Sequence, residues 1–389
     1  MIWTVLAAIA LAAWIGLLCV RGGFWRAEPR LDGAPGAASA PETWPGVAAI
    51  VPARDEAETV GEAVRSLAEQ DYPGRFSVVV VDDESSDGTA RIARNAGGDA
   101  DVAVIRSGPL ARGWTGKVWA LSGGLAHVAT ERPDARYVWL SDADVVHPPD
   151  MLRALVCEAE GRSLDLLSLM VLLRAESFWE RLLIPPFVFF FRKLFPFAWV
   201  NDPGRRIAAA AGGCVLLRRS ALERIGGIGA IRDALIDDIA LARAVKPGGT
   251  IRLALTAGSL SVRRYGSLGE IWTTVARSAF DLLGYSALAL VGTVVAMTIV
   301  YLVPPLLVLS WPFHGDLAGS VLGASAWIAM ALAAYPTGRL YGLPPWAGLA
   351  LPVAAALYIA MTVDSARCHW TGGGRAWKSR VYASERGGG

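Results

Sequence analysis

Four long apolar stretches restrict the fold of this 389-residue chain more than any other feature of its sequence. They span residues 2–20, 284–310, 317–335 and 344–363. A helix needs about 20 apolar residues to cross the hydrocarbon core of a bilayer, and each stretch comes close to that length or exceeds it. Because 53% of the residues are apolar and only 19% are charged, we expect a multi-pass membrane protein.

Residues 1–20 are interpreted as a retained N-terminal membrane anchor. A cleaved signal peptide is the alternative, but the apolar run is long and no charged residue precedes it. Arg21, Arg26 and Arg30 follow the run, and basic residues favour the cytoplasmic side of a membrane. The Pro-, Gly- and Ala-rich residues 21–46 are interpreted as a linker. We therefore expect a protein of the inner (plasma) membrane whose soluble domain faces the cytoplasm.

Three later segments bear on how the chain meets the membrane. Residues 178–200 are aromatic but interrupted by prolines and basic residues, which favours an interfacial segment over the alternative of a buried core helix. Residues 266–282 have the apolar periodicity of an amphipathic interfacial helix. Three full spans within 283–363 would place the tail, 364–389, outside, whereas its basic residues favour the inside. Either one stretch is re-entrant, for instance around Pro304–Pro305, or the tail is an exception.

Between the membrane segments, residues 47–265 have the pattern of a soluble α/β domain. Short apolar runs at 47–51, 78–82, 102–106 and 137–141 predict buried strands, and helical patterns lie between them. This alternation predicts a mostly parallel sheet, in which ligands bind beyond the carboxyl ends of the strands. The net charge of +2 is too small to indicate a nucleic-acid partner. The four cysteines and four histidines have no metal-ligand spacing.

Acidic and polar residues directly follow three of these predicted strands. Burying an unpaired carboxylate is costly, so these side chains must be solvated or matched to ligand groups. They could accept hydrogen bonds from a nucleotide, and an Asp-x-Asp pair suits a hard divalent cation that also binds phosphate. Solvated surface turns are the alternative. The residues are Pro52, Arg54, Asp55 and Glu56 after the first strand, Asp82 and Asp83 after the second, and Asp142 and Asp144 after the fourth.

Three further positions carry candidate chemistry. Lys117 follows glycines at a predicted helix start, where backbone amides and an ammonium can face a phosphate; an ordinary surface lysine is the alternative. Gly212 and Gly213 would allow an acceptor to approach closely, although a tight turn explains them equally well. Asp237 and Asp238 begin a predicted helix, where acidic residues also simply complement the helix dipole.

The motifs at 51–60, 78–89 and 141–144 resemble those of family 2 glycosyltransferases with the GT-A fold, over roughly residues 45–280. The resemblance implies an α/β catalytic domain at 47–265, a nucleotide-sugar donor and Mg²⁺ or Mn²⁺ as cofactor. The roles it implies are nucleotide-sugar binding for Pro52, Arg54, Asp55, Glu56, Asp82, Asp83, Lys117 and Asp142, and metal binding for Asp144 with Asp142.

The same resemblance implies an inverting mechanism. The family carries an acidic pair whose second member is the general base, which here corresponds to Asp238 with Asp237 in support; the family more often has Glu at the first position. Many membrane members also carry a Q/R-x-x-R-W motif, which this chain lacks as an intact string. The candidates for its role on the diphosphate or acceptor side are Arg263, Arg264, Trp272 and Arg277, and lipid-headgroup binding by Arg263 and Arg264 is the alternative.

Residues 187–203, 235–243 and 263–280 and the late apolar stretches are similar to those of the hopene-associated glycosyltransferases of bacteria. This resemblance implies a lipid acceptor, either a hopanoid or another polycyclic or polyprenyl lipid. We expect the donor to be a UDP-sugar. A processive polysaccharide synthase is one alternative, but it would need more crossing helices and an intact arginine–tryptophan motif. A membrane protein that binds nucleotide sugars without catalysis is the other.

Overall fold

The computed structural model of the chain describes residues 1–32 and 40–371 and the backbone of 376–377 and 380–381. Part of the predicted linker (21–46) and most of the predicted basic tail (364–389) lie outside the described residues. The described chain comprises a soluble α/β domain and a bundle of apolar helices. The bundle contains helices from both ends of the chain.

The soluble domain is built on one eight-stranded mixed sheet. Its strand order is β3-β2-β1-β4-β7-β6-β8-β5, and four of the seven pairings are parallel. A further pair of two-residue strands, β9 (Ala376–Trp377) and β10 (Arg380–Val381), lies near the C-terminus. The strands of the main sheet are β1 (Gly46–Ala53), β2 (Phe76–Asp82), β3 (Val102–Arg106), β4 (Ala135–Ser141), β5 (Val145–Val146), β6 (Leu166–Leu173), β7 (Cys214–Arg218) and β8 (Ile251–Ser261).

Helices cover the sheet and form the apolar bundle. In α2, for example, Val60, Val64 and Leu67 recur at helical spacing and are fully buried against the sheet. The helices are α1 (Ile2–Val20), α2 (Val60–Ala68), α3 (Thr89–Ala96), α4 (Gly116–Glu131), α5 (Met151–Gly161), α6 (Phe178–Leu194), α7 (Phe197–Val200), α8 (Arg219–Arg224), α9 (Asp237–Val245), α10 (Leu268–Leu282), α11 (Ala287–Met297), α12 (Val303–Leu309), α13 (Trp311–His314), α14 (Leu317–Leu340) and α15 (Leu351–Trp370).

The four strands predicted from apolar runs are confirmed and form the parallel half of the sheet, β3-β2-β1-β4. Ala53 at the end of β1 pairs with Asp82 at the end of β2, and Asp82 pairs with Arg106 at the end of β3. The polar residues that follow these strands therefore meet at one edge of the sheet, as parallel pairing requires.

The other half of the sheet contains strands that sequence periodicity did not identify. β7 runs antiparallel between β4 and β6, and β8 runs parallel to β6 and antiparallel to β5. Ser261 at the end of β8 pairs with Val145, and the Val262 amide donates to the Asp144 carbonyl over 2.8 Å. The end of β8 consequently lies beside the Asp142–Asp144 turn, and 117 residues separate Ser261 from Asp144 in the chain.

The segments predicted to lie in the membrane interface are both helical. α6 spans Phe178–Leu194 with two internal prolines and buries Leu183, Val188 and Phe189 within the protein. α10 is amphipathic as predicted, and its apolar face packs against α15. The apolar faces of α6 and α10 thus both pack against other parts of the protein. A position in the membrane interface stays a prediction for each helix.

Four helical segments in the described part of the chain are long and apolar enough to cross a membrane: Ile2–Val20, Ala287–Leu309, Leu317–Leu340 and Pro345–Trp370. α1 and α14 run in the same direction. The backbone and hydroxyl of Thr4 donate to the Asp316 carboxylate, at 3.1 and 2.7 Å, just before α14 begins. At the other end of α14, the Tyr341 hydroxyl accepts from the Leu173 amide of the soluble domain over 3.4 Å.

The last of the four segments folds back on itself. Its first turn, Pro345–Ala350, packs beside the middle of α14: Trp327 donates its indole N–H to the Leu349 carbonyl over 3.1 Å. Gly348 is required there because a Cβ would lie 2.5 Å from the Ala331 carbonyl oxygen. α15 then returns to α10, where Trp272 donates to Asp364 over 2.8 Å. Segment 345–370 therefore begins and ends at the soluble-domain end of the bundle.

Candidate active site

A large cavity lies beyond the carboxyl ends of β4 and β6, between the sheet, α9 and α10. Its volume is about 910 Å³. One side is lined by six carboxylates and four basic side chains, and another by apolar residues of β6 and α6. The charged lining comprises Glu56, Asp142, Asp144, Asp237, Asp238, Glu270, Lys117, Arg263, Arg264 and Arg277. Residues spread over more than 200 positions of the chain thus converge on one cavity.

Lys117 contacts two of the carboxylates on the charged side of the cavity. It lies in the first turn of α4, and its Nζ is 2.9 Å from Asp142 Oδ1 and 3.3 Å from Asp237 Oδ2. Burial lowers the pKa of Lys117, but the carboxylates of Asp142 and Asp237 outweigh that effect and raise it above its ordinary value. Burial raises the pKa of the Asp142 carboxyl, but the charge of Lys117 outweighs that effect and holds this pKa below its usual range. The ammonium is therefore a fixed positive charge in the cavity.

Asp238 lies close to Lys117, but its pKa is shifted in the opposite direction to that of Asp142. It lies at the start of α9, and the Ile239 amide donates to its Oδ1 over 2.7 Å. Burial, followed by the neighbouring charge of Asp237, raises the pKa of Asp238 to about 7. Gly212 lies against both groups: a Cβ there would be 3.2 Å from Lys117 Nζ and 3.4 Å from Asp238 Oδ2. A carboxylate with this pKa can accept a proton near neutral pH.

Arg263 joins two of the acidic clusters that the sequence places far apart. Its Nε donates to Asp144 Oδ2 over 2.8 Å, and its terminal nitrogen donates to Glu56 Oε1 over 2.6 Å. Ser261 also donates to Asp144 Oδ2, over 3.0 Å. Burial raises the pKa of the Asp144 carboxyl, and Arg263 opposes that rise. The guanidinium bridges the ends of β1, β4 and β8.

Arg54, Asp55, Asp82 and Asp83 lie next to this cavity rather than in its lining. The Asp83 carboxylate is fully buried; it accepts from Ser107 over 2.7 Å and contacts Arg54 at 3.4 Å. Asp82 is buried and accepts from the Ser85 amide over 3.3 Å. These residues occupy the ends of β1 and β2, adjacent to Pro52 and Glu56, which do line the cavity.

The remaining predicted residues divide into two groups. Gly212, Gly213, Arg264 and Arg277 line the cavity. Trp272 does not, because it is directed towards Asp364 on α15. Trp272 was predicted together with Arg263, Arg264 and Arg277, but in the structure only the three arginines line the cavity.

The cavity also has an apolar wall that sequence reasoning found only in part. Phe187 and Phe191 of α6 belong to it and lie in the segment already singled out for its aromatic content. Met170, Val171 and Leu173 of β6 complete it, and no motif marked them. Ser261 was likewise missed, since a single serine at the end of a long strand gives no signal.

The carboxylates around Asp144 are compatible with a divalent ion whose coordination is completed by a bound ligand. Among the described residues, no group of three or more His, Cys, Asp or Glu could hold an ion by itself. Ser261 and Arg263 both donate to Oδ2 of Asp144, while Asp142 and Glu56 face the same cavity. Mg²⁺ is typically bound by one or two carboxylates with substrate phosphates completing its coordination. The donor set suits an ion that arrives with a phosphate-bearing ligand.

The fold is that of a GT-A glycosyltransferase domain. Residues 48–226 match the sequence profile of the family described as Glycosyl transferase family 2, which places the domain in that family. The predicted resemblance to family 2 glycosyltransferases and the predicted GT-A fold class are thereby confirmed.

Two relatives illustrate the likeness. The chain is 36% identical over 97 residues to 4,4'-diaponeurosporenoate glycosyltransferase of Staphylococcus aureus; the match covers 25% of this chain and 23% of that protein. The chain thus spans about a quarter of the length of the curated relatives it matches. The mannosyltransferase PcManGT from Pyrobaculum calidifontis, solved with GDP-Man and Mn²⁺, superposes with a TM-score of 0.53 at 23% identity, over 93% of this chain and 98% of that one. This second likeness shows the fold.

Proposed function

We propose that the protein is an inverting glycosyltransferase that moves a sugar from a nucleoside diphosphate onto a lipid hydroxyl at the cytoplasmic face of the membrane. The observation that carries this proposal is the single cavity with a charged side, centred on Lys117 and Asp238, and an apolar side formed by β6 and α6. A diphosphate sugar suits the first side and an apolar acceptor suits the second.

Asp238 is proposed as the general base. It would take the proton of the acceptor hydroxyl on its carboxylate, so that the oxygen can attack the anomeric carbon as the bond to the diphosphate breaks. One displacement inverts the anomeric centre. The pKa of about 7 supports this role, because about half of the Asp238 carboxyl groups are ionised at neutral pH and each carboxylate remains a useful proton acceptor.

Positive charge for the leaving diphosphate would come from this chain's own side chains and from a metal ion. Lys117 is held in place by Asp142 and Asp237 and faces the cavity, and Arg277 lines it from α10. Asp144, with Asp142, would hold Mg²⁺ or Mn²⁺. When bound, the ion supplies electrostatic stabilisation of the departing phosphate oxygens.

The nucleotide would lie over the ends of β1 and β2. Pro52 and Glu56 reach the cavity, while Arg54, Asp55, Asp82 and Asp83 form the adjacent loop ends. Gly212 and Gly213 leave space between the base and the apolar wall for the acceptor hydroxyl. We propose a UDP-sugar as the donor, and the resemblance to hopene-associated enzymes favours a hopanoid acceptor.

The helix bundle supports a specific membrane arrangement. We place α1, the α11–α12 segment and α14 across the bilayer, and segment 345–370 as a re-entrant hairpin on the soluble-domain side. At 1.5 Å per residue, the contact of Leu349 with Trp327 lies roughly 20 Å from the end of α14, within a bilayer core of roughly 30 Å. The tail then returns to the cytoplasm, which agrees with its basic residues.

The decisive experiment is incorporation of radiolabelled sugar into lipid. The purified protein in bacterial lipid would be incubated with UDP-glucose, UDP-N-acetylglucosamine and GDP-mannose in turn, and the organic extract counted. We expect label from one donor, loss of turnover but retained donor binding in Asp238→Asn, and NMR evidence of an inverted anomeric centre. Label in a polymer would indicate a processive synthase, and donor binding without any transfer would indicate a non-catalytic protein.

A further inference from the structure

Arg263 occupies an unusual position because its guanidinium contacts the carboxylate proposed to bind a metal. Nε lies 2.8 Å from Asp144 Oδ2, and a second nitrogen lies 2.6 Å from Glu56 Oε1. Since Ser261 donates to the same Oδ2 atom, that oxygen already accepts two hydrogen bonds. A carboxylate oxygen has two lone pairs, so an ion that binds Oδ2 must displace one of these donors.

An ion on the other oxygen, Oδ1, would not avoid Arg263. The two carboxylate oxygens are about 2 Å apart, so the ion would still lie within a few ångströms of the guanidinium. Like charges at that separation repel strongly in a partly buried site, where the effective dielectric constant is about 20. Arg263 is itself two-thirds buried, with 32% of its side chain exposed, so water screens this repulsion only in part.

We infer that Arg263 is an internal cation that competes with the divalent ion for Asp144 and must release this carboxylate before the ion binds tightly. Glu56 provides the anchor that keeps the guanidinium at the cavity wall during the exchange. A diphosphate can bind both the metal ion and the Arg263 guanidinium. Its arrival would therefore allow Arg263 to leave Asp144 while the ion binds there. The free protein would accordingly hold the metal weakly, and the metal would bind together with the donor. This inference rests on the proposed metal role of Asp144.

The test measures binding of Mn²⁺ alone, by electron paramagnetic resonance of the free ion, to the full-length protein in detergent. We expect Arg263→Gln to bind Mn²⁺ about tenfold more tightly than the wild type, or better, because a competing positive charge has been removed. Arg264→Gln is the matched control. It removes the same charge from the same cavity, but within the described residues Arg264 forms no ion pair with Asp144, so its affinity should change by less than about threefold.

Asp144→Asn separates this inference from the proposed function. Loss of Mn²⁺ binding in Asp144→Asn, together with tighter binding in Arg263→Gln, supports both. Loss in Asp144→Asn without any gain in Arg263→Gln overturns the role of Arg263 and leaves the metal site intact. Unchanged binding in Asp144→Asn overturns the metal assignment itself. If Arg263→Gln does not fold, Arg263→Met, which keeps the length of the side chain, carries the same expectation.

Discussion

Replacement of Lys117 by methionine should move the pH dependence of transfer in a direction that the structure determines. A Cβ placed on Gly212 would lie 3.2 Å from Lys117 Nζ and 3.4 Å from Asp238 Oδ2. The distance between these two charged atoms therefore cannot exceed the sum of the two values. At about 6 Å and an effective dielectric constant of about 20, the attraction is roughly 3 kcal/mol, or about two pKa units. Residual solvent access reduces this to an expected shift of one to two units.

The direction of the shift in the pH profile depends on which protonation state of Asp238 is active. As a general base, Asp238 works when ionised, so kcat/KM should rise with pH through its pKa of about 7. The positive charge of Lys117 favours the ionised form and lowers the pKa; its removal must therefore raise the pKa and shift the acidic limb of the profile upwards. The assay is kcat/KM for the acceptor at saturating donor concentration between pH 5 and 9.

Lys117→Arg is the control for this experiment, since it keeps the charge and should leave the acidic limb near pH 7. If Lys117 contacts the diphosphate as proposed, Lys117→Met will also have a higher KM for the donor, and the use of saturating donor removes this effect from the comparison. An acidic limb that stays in place or moves to lower pH in Lys117→Met would refute both the base assignment and the electrostatic argument.

Three other predictions concern the metal, the acceptor and the membrane. Asp144→Ala should abolish Mn²⁺-dependent transfer while the thermal unfolding temperature stays within a few degrees of the wild type; full activity in purified membranes would contradict the metal role. Phe187→Ser should raise the acceptor KM about tenfold, as expected for the loss of roughly 1.5 kcal/mol of apolar contact, and should leave donor binding unchanged. Cysteines introduced at Thr371 and Phe313 should react with membrane-impermeant maleimide from opposite sides of the membrane, and labelling from the same side would exclude the re-entrant arrangement.

The parallel half of the sheet could be predicted because its information is local. Valine-rich runs such as 78–82 signal a buried strand by themselves, and the polar residue that follows each run marks the edge where ligands bind. The clusters at Glu56 and Asp142 were found this way, whereas Asp238 was found at a predicted helix start; all three line one cavity. The prediction of a mostly parallel sheet holds for four of seven pairings, because β7 enters antiparallel between β4 and β6.

What could not be predicted depends on contacts between distant segments. Arg263 was placed equally well on a diphosphate or a lipid headgroup, and the pairing with Asp144 follows only from β8 lying beside β5. The periodicity of α10 identified an apolar face, but could not reveal that α15 covers it and turns Trp272 away from the cavity. An apolar stripe has the same sequence signature whether lipid or protein packs against it.

The conflict between the apolar stretches and the basic tail has the same origin. Hydropathy counts segment 345–370 as a span because it measures only length and composition. The fold back at Gly348 depends on the close approach to Ala331, a contact that no hydropathy scale includes. Pro304 and Pro305, which looked like the break point, instead continue a helical segment from Ala287 to Leu309 through a π-helical turn. In the proposed arrangement a hairpin at 345–370 would allow three crossings and a cytoplasmic tail to coexist. In the structure α15 packs against α10, which carries Arg277 in the cavity wall.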